Sequence, residues 1–153
     1  MGLPKYPDAP IPSWKEFRAE YRVSFFNASG SRTGRNFIIL AGGTEVGTVG
    51  YDLFDGRKRR VVLDIWLRAE RFCGHGYGPD ALQALCDFLR REYGIKHFYI
   101  SPSARNGRAI AAYRKADFKR IRMSRAAAMK EFGVDIFDYA DNTVMKRTWA
   151  KRS

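Results

Sequence analysis

The sequence predicts an α+β domain, a sheet with helices on its faces. The residues from Phe37 to Leu67 form β-rich stretches divided by two tight Gly-containing turns. Apolar residues then recur at helical spacing from Leu82 to Leu89, and further short β-rich stretches alternate with a second helical one. The order is therefore helix, three antiparallel strands, Gly-rich loop, helix, strand, helix and two strands.

The elements follow one by one. Ser13-Trp14-Lys15-Glu16 reads as a capping box and starts a helix, with Trp14, Phe17 and Tyr21 at helical spacing, until the polar stretch from Asn27 to Gly34 ends it. Phe37 to Ala41 and Val46 to Phe54 form a hairpin across Gly42-Gly43-Thr44-Glu45, and Asp55-Gly56 turns the chain into a third strand, Arg59 to Leu67. In that strand Val61, Leu63, Ile65 and Leu67 make one apolar face, while Asp64 stands between Val62 and Trp66 on the other. A helix runs from Pro79 to about Tyr93, burying Leu82, Leu85, Cys86 and Leu89 and stopping at Gly94. Lys96 to Ile100 is a strand, Asn106 opens a helix to Ala116, and Phe118 to Met123 begins another strand. Ser124 to Phe132 holds a helical turn, and Asn142 to Trp149 closes the sheet.

At 153 residues the chain fits one domain, 1–153, and 45% hydrophobic content with 11 Phe, 8 Tyr and 3 Trp gives it a core of its own. No apolar run approaches the roughly 18 residues that cross a bilayer, and Met1 to Ser13 lacks the order of a signal peptide, so a cytoplasmic protein with no membrane partner is expected. Cys73 and Cys86 make no disulfide framework and have no partner at metal spacing; both are expected as free thiols, with no metal site. The formal charge of +12 attracts polyanions. Because the basic residues fall in short groups beside loops and helix ends, general nucleic-acid binding is disfavoured. A homodimer is compatible with this composition.

Gly74-His75-Gly76-Tyr77-Gly78-Pro79-Asp80 places alternate glycines between a strand and a helix. Such a loop exposes successive N–H groups and lets a phosphate approach the positive helix end, and Arg71 and His75 favour that reading over a merely flexible loop. The spacing is not that of a dinucleotide-binding Rossmann loop.

This loop resembles the acetyl-CoA pyrophosphate loop of the GCN5-related N-acetyltransferases, with signature Gln/Arg-x-x-Gly-x-Gly/Ala. Arg71 to Gly76 matches it literally. The register Cys73 to Gly78, in which the second glycine enters the helix, is preferred, with Cys73 where the family has Gln or Arg. Asn106-Gly107-Arg108-Ala109-Ile110-Ala111-Ala112-Tyr113-Arg114-Lys115-Ala116-Asp117-Phe118 resembles the family's Asn-x-x-Ala-Ile-x-x-Tyr-x-Lys-x-Gly-Phe, Asp117 replacing a Gly. Val49-Gly50-Tyr51, Asp64 and Ser101-Pro102-Ser103 look most like the aminoglycoside 6'-N-acetyltransferase branch.

The resemblance implies a mixed, mostly antiparallel sheet, shortened at its N-terminus relative to the family. It also implies acetyl-CoA as cofactor, held by Leu67, Cys73, Gly74, His75, Gly76, Tyr77, Gly78, Pro79, Asp80, Asn106 and Tyr113, and an amine-bearing small molecule as acceptor. Asn106 would bond the pantetheine arm, and Tyr113 would be the general acid for the sulfur. On residue chemistry alone Asn106 is a helix cap and Tyr113 a half-buried aromatic. Asp64 is expected to be the base that takes the amine proton, directly or through water, the alternative being an ion pair with an Arg. The acceptor site is expected at Asp52, Asp64, Ser101 and Asp138, with Asp55, Asp135 and Asp141 as further carboxylates. The implied activity is N-acetylation of an aminoglycoside-like amine, with a protein, peptide or polyamine acetyltransferase or a non-catalytic basic binding module as alternatives.

Overall fold

The computed structural model describes residues 13, 15, 16, 19 and 34–150. Ser13 and Glu16 make the capping box: the Ser13 N–H and hydroxyl both donate to Glu16 Oε2 at 2.7 Å, and the Glu16 N–H donates back to Ser13 Oγ at 3.3 Å. Lys15, Glu16 and Ala19 are helical. Trp14, Phe17 and Tyr21 lie outside the described residues.

Six strands follow, β1 (Arg35–Ala41), β2 (Thr44–Asp55), β3 (Arg60–Leu67), β4 (His97–Ile100), β5 (Lys119–Ile121) and β6 (Val144–Thr148), in the spatial order β1-β2-β3-β4-β6-β5. Only β3 and β4 are parallel; the other neighbours are antiparallel. Among the described residues three helices of eight residues or more lie between them: α1 (Tyr77–Tyr93), α2 (Gly107–Lys115) and α3 (Arg125–Phe132). None is long and apolar enough to cross a membrane.

The helices divide between the two faces of the sheet. Leu82, Leu85 and Leu89 of α1 and Ile110 and Tyr113 of α2 pack on Val49, Leu63, Ile65 and Phe98 in the larger core. Ala128 and Phe132 of α3, with Ile136 after it, pack on Tyr99 and Val144 across the sheet. Strand alternation feeds both cores at once, so the two residue sets interleave in the sequence.

Several element ends depart from expectation, each for a local reason. α1 starts at Tyr77, two residues before Pro79, because Gly76 in a left-handed conformation (φ 84°) already serves as its N-cap. The stretch after Ser124 is a two-turn helix, since the Ser124 hydroxyl caps it by accepting from the Ala127 N–H at 3.1 Å and Gly133 stops it. β5 is confined to three residues. Asp117 has φ 66°, the left-handed backbone that its place in the motif calls for.

Candidate functional site

The site begins where two parallel strands separate. β3 pairs with β4 only from Arg60↔His97 to Val62↔Tyr99, yet β3 continues to Leu67. On its other side β3 stays paired with β2, and Arg68 N–H donates to Val46 O at 2.8 Å. Antiparallel alternation then turns the even-numbered amides toward β2 and those of Leu63, Ile65 and Leu67 toward the gap.

Asp64 sits at this gap. Its partner on β2 is Gly50, so no side chain crowds it from that strand. The carboxylate is oriented by the Ile65 N–H, which donates to Oδ1 at 2.9 Å. Asp64 is open to solvent on one side, while the protein around its other sides pushes its carboxyl above the usual carboxylate range. Among the described residues it has no Arg or Lys partner.

Tyr113 reaches the same place from α2. It is 6% exposed, and its hydroxyl makes no hydrogen bond to the described residues. Burial, then the negative charge of Asp64, hold its proton on oxygen well above the ordinary tyrosine range. Asp138 and Tyr139, from the loop after α3, lie within electrostatic reach of Asp64. Burial and the charges of Asp64 and Asp135 push the Asp138 carboxyl up, and Tyr139 is shifted upward by burial, Asp138 and Asp64. That loop is fixed from below: Asn142 Nδ2 donates to Ser101 O at 2.7 Å and Ser101 Oγ at 2.9 Å, and Asn142 Oδ1 accepts from Tyr139 N–H at 2.5 Å. The Ser103 hydroxyl and the Arg105 Nε–H hold Asp141 at 2.9 and 2.8 Å. Ser101 thus anchors the loop through Asn142.

The other expected carboxylates are committed elsewhere. Asp55 accepts from the Lys58 and Arg57 N–H groups at 3.0 Å and lies 3.5 Å from Arg60. Asp135 accepts from Arg125 Nε at 2.8 Å, and Asp141 is the loop anchor. These hydrogen bonds hold all three carboxyls below the usual range. Asp52 lies at the irregularity between Asp52 and Asp55, its Oδ1 accepting from Leu53 N–H at 2.7 Å.

At the C-terminal end of β3 the chain makes a single turn, Glu70–Phe72, and enters the glycine loop. Gly74 and Gly76 both have left-handed backbones, φ 80° and 84°. No hydrogen bond to the described residues satisfies the amides of Gly74, His75, Gly76, Tyr77 and Gly78, whereas Cys73 N–H donates to Glu70 O and Asp80 N–H to Gly76 O. Five open amides in succession at the positive end of a helix form a cradle for an anion. His75 is held against Arg71 O at 3.0 Å and stacks on Tyr77. Arg108, the second residue of α2, meets Glu70 at 3.1 Å and comes close to Cys73, placing a guanidinium beside the cradle. Asn106 caps α2, its Oδ1 accepting from Ala109 N–H at 3.1 Å, which leaves Nδ2 free to donate elsewhere. Tyr139 and Arg108 escaped the sequence reading; the only signals were an aromatic beside Asp138 and a basic residue inside the second motif.

Residues 4–119 match the family model described as an acetyltransferase (GNAT) domain. Among curated proteins the chain is similar to a spermine/spermidine N(1)-acetyltransferase of Bacillus subtilis, 35% identical over 82 residues, 50% of this chain and 54% of that protein. It therefore spans about half the length of that relative. Among solved structures, a spermidine N-acetyltransferase from Vibrio cholerae superposes with TM-score 0.68 at 16% identity, covering 94% of this chain and 80% of its own. An aminoglycoside acetyltransferase, AAC(6')-Ib, in complex with coenzyme A superposes with TM-score 0.60 at 21% identity, covering 76% and 67%. At these identities the superpositions establish a shared fold.

Proposed function

The chain belongs to the GNAT acetyltransferase family, and from that premise we propose that it transfers the acetyl group of acetyl-CoA to a primary amine of a cationic small molecule, an aminoglycoside-like amine first among them. The observation that carries this reading is the convergence of an anion cradle, a strand gap and an unpaired carboxylate along one line of the fold. The open amides from Gly74 to Gly78 fit the pyrophosphate, with Pro79 and Asp80 completing the helix entry. Leu67, Cys73 and Asn106 border the path from the cradle to the gap. The amides from Gly74 to Gly78 have no partner among the described residues that a phosphate would have to displace.

The chemistry then follows. An amine arrives as an ammonium and must lose a proton before its lone pair can attack the thioester carbon. Asp64, whose carboxyl burial raises above the usual carboxylate range, takes that proton directly or through water. An amide on the open edge of β3 faces the carbonyl oxygen as it gains charge. The C–S bond breaks as the tetrahedral species collapses, and Tyr113, which keeps its proton at neutral pH, donates to the departing thiolate. Asp138 and Asp52 supply further negative charge for a cationic acceptor, and the Ser101 carbonyl and hydroxyl brace the loop that carries Asp138.

Polyamines are the second reading, favoured by the similarity to the spermine/spermidine acetyltransferase. Thiol release from acetyl-CoA with an aminoglycoside, spermidine and a peptide N-terminus in parallel tests both. Release only with the aminoglycoside supports the first reading, and release only with spermidine supports the second. Release with the peptide alone, or with none, contradicts both.

A further inference from the structure

The formal charge of +12 is spread in groups along the sequence, but folding gathers much of it. From residue 93 to residue 130 there are ten Lys and Arg and one acidic residue, Asp117. This stretch supplies β4 and β5, which flank β6 at one side of the sheet. In the β5–β6 ladder Lys119 stands directly opposite Lys146. Like charges so placed, with Cβ atoms about 5 Å apart, oppose pairing. The Lys146 ammonium is kept 5.0 Å over the Tyr99 ring, and His97 and Thr148 form the next pair on the same face, Nδ1 to Oγ1 3.4 Å. Lys96 adds its charge to that of Lys146 at His97. Among the described residues none of Lys96, Lys119 and Lys146 belongs to an ion pair, nor do the exposed Arg120 on the other face of the edge strand and Arg122 just beyond its end.

An edge strand carries Lys to discourage pairing with other chains. That accounts for Lys119 but not for Lys146, which lies on an interior strand facing it. The cradle for the cofactor does not account for them either. His97 is level with Arg60, seven strand residues from Leu67, which puts this face roughly 20 Å from the glycine loop.

We propose that the face bearing Lys119, Lys146, His97 and Thr148, with Lys96 beside His97, docks the phosphodiester backbone of a nucleic acid. Several unpaired cations on one edge match a chain with a charge on every unit, and a Thr hydroxyl and an imidazole beside them suit phosphate oxygens. The face has little with which to read bases. Tyr99 is buried beneath Lys146, and Trp149 lies between the guanidiniums of Arg90 and Arg147. Binding is therefore independent of sequence and sensitive to salt.

Anisotropy of a labelled single-stranded RNA of mixed sequence, titrated with the whole protein over a range of KCl, tests this. Affinity should fall with salt. Lys119→Gln/Lys146→Gln should weaken binding tenfold or more at low salt and flatten the log–log salt slope by about 1.4, two contacts at about 0.7 each for a single strand. Arg35→Gln/Arg57→Gln removes equal charge from the opposite half of the fold and should leave both nearly unchanged. Melting temperature checks that each variant folds; should the double variant fail, Lys119→Gln alone should flatten the slope by about 0.7. No RNA binding by the unaltered protein, or equal losses in the two charge-matched variants, overturns the proposal. Tighter binding to polyglutamate or to phosphatidylglycerol vesicles than to RNA overturns it as well.

Discussion

The charge of Asp64 acts on the hydroxyl of Tyr113: together with burial, it holds the phenolic proton on the oxygen. The two residues come from β3 and α2, separated in the chain by a whole helix and strand, and they lie within electrostatic reach of each other where β3 and β4 part after Val62↔Tyr99. A carboxylate and a phenol that keeps its proton thus stand near one gap, the two groups that the proposed acyl transfer would use as proton acceptor and donor.

Tyr113→Phe should lower turnover by about 10² to 10⁴ while acetyl-CoA affinity stays nearly constant, because only the thiolate formed late in the reaction needs the proton. Its hydroxyl has no hydrogen-bond partner among the described residues, so the variant should melt no lower than the unaltered protein. Single-turnover kinetics beside a melting curve check this. A lower melting temperature with full turnover would return Tyr113 to a packing role.

Gly76→Val should weaken acetyl-CoA binding by well over tenfold in calorimetry. No protein atom lies within 4 Å of a Cβ added there, so the loss would not come from a clash inside the protein. It would come from the left-handed backbone, φ 84°, which a β-branched residue resists, and from the bulk placed where a phosphate must approach. Unchanged affinity would remove the pyrophosphate from this loop.

Asn106 offers a separation of two roles in one side chain. Asn106→Asp keeps the oxygen that accepts from Ala109 N–H and suits the positive helix end, so stability should hold. It removes the Nδ2 donor, and acetyl-CoA affinity should drop by about tenfold, the equivalent of one hydrogen bond of about 1.4 kcal/mol. Asn106→Ala should lose affinity and also about 1 kcal/mol of stability. Equal affinity in the Asp variant and the unaltered protein would leave Asn106 as a cap alone.

The strands and helices were legible because their punctuation is local. Gly42-Gly43 and Asp55-Gly56 turn the hairpins, and Asn106, Ser124 and Gly94 cap helices within a few residues of where they stand. Asp64 was legible as a misfit between Val62 and Trp66 on a strand face. The acceptor side was not, since it depends on contacts across 36 to 41 residues, from Arg105 to Asp141 and from Ser101 to Asn142. Those contacts decide which carboxylates Arg residues neutralise and which stay available, and they bring Tyr139 within electrostatic reach of Asp64. The pairing of Lys119 with Lys146 likewise exists only once β6 inserts between β4 and β5.

Removal of the amine proton by Asp64 should leave its mark on the pH dependence of both stability and transfer. The folded carboxyl is raised above its unfolded value of about 3.9, so the native state binds the proton more tightly. Stability contributed by Asp64 therefore falls as pH rises through that window, and the cost persists at neutral pH. Asp64→Asn removes it: the variant should melt at the same or a higher temperature at neutral pH, with the difference closing below about pH 4. Its transfer rate should fall by about 10² or more at neutral pH and by less at high pH, where free amine is already abundant. Measured together, a stable variant with a rate deficit that shrinks toward high pH is the expected result. A large loss of melting temperature with normal specific activity in the folded fraction would contradict the account.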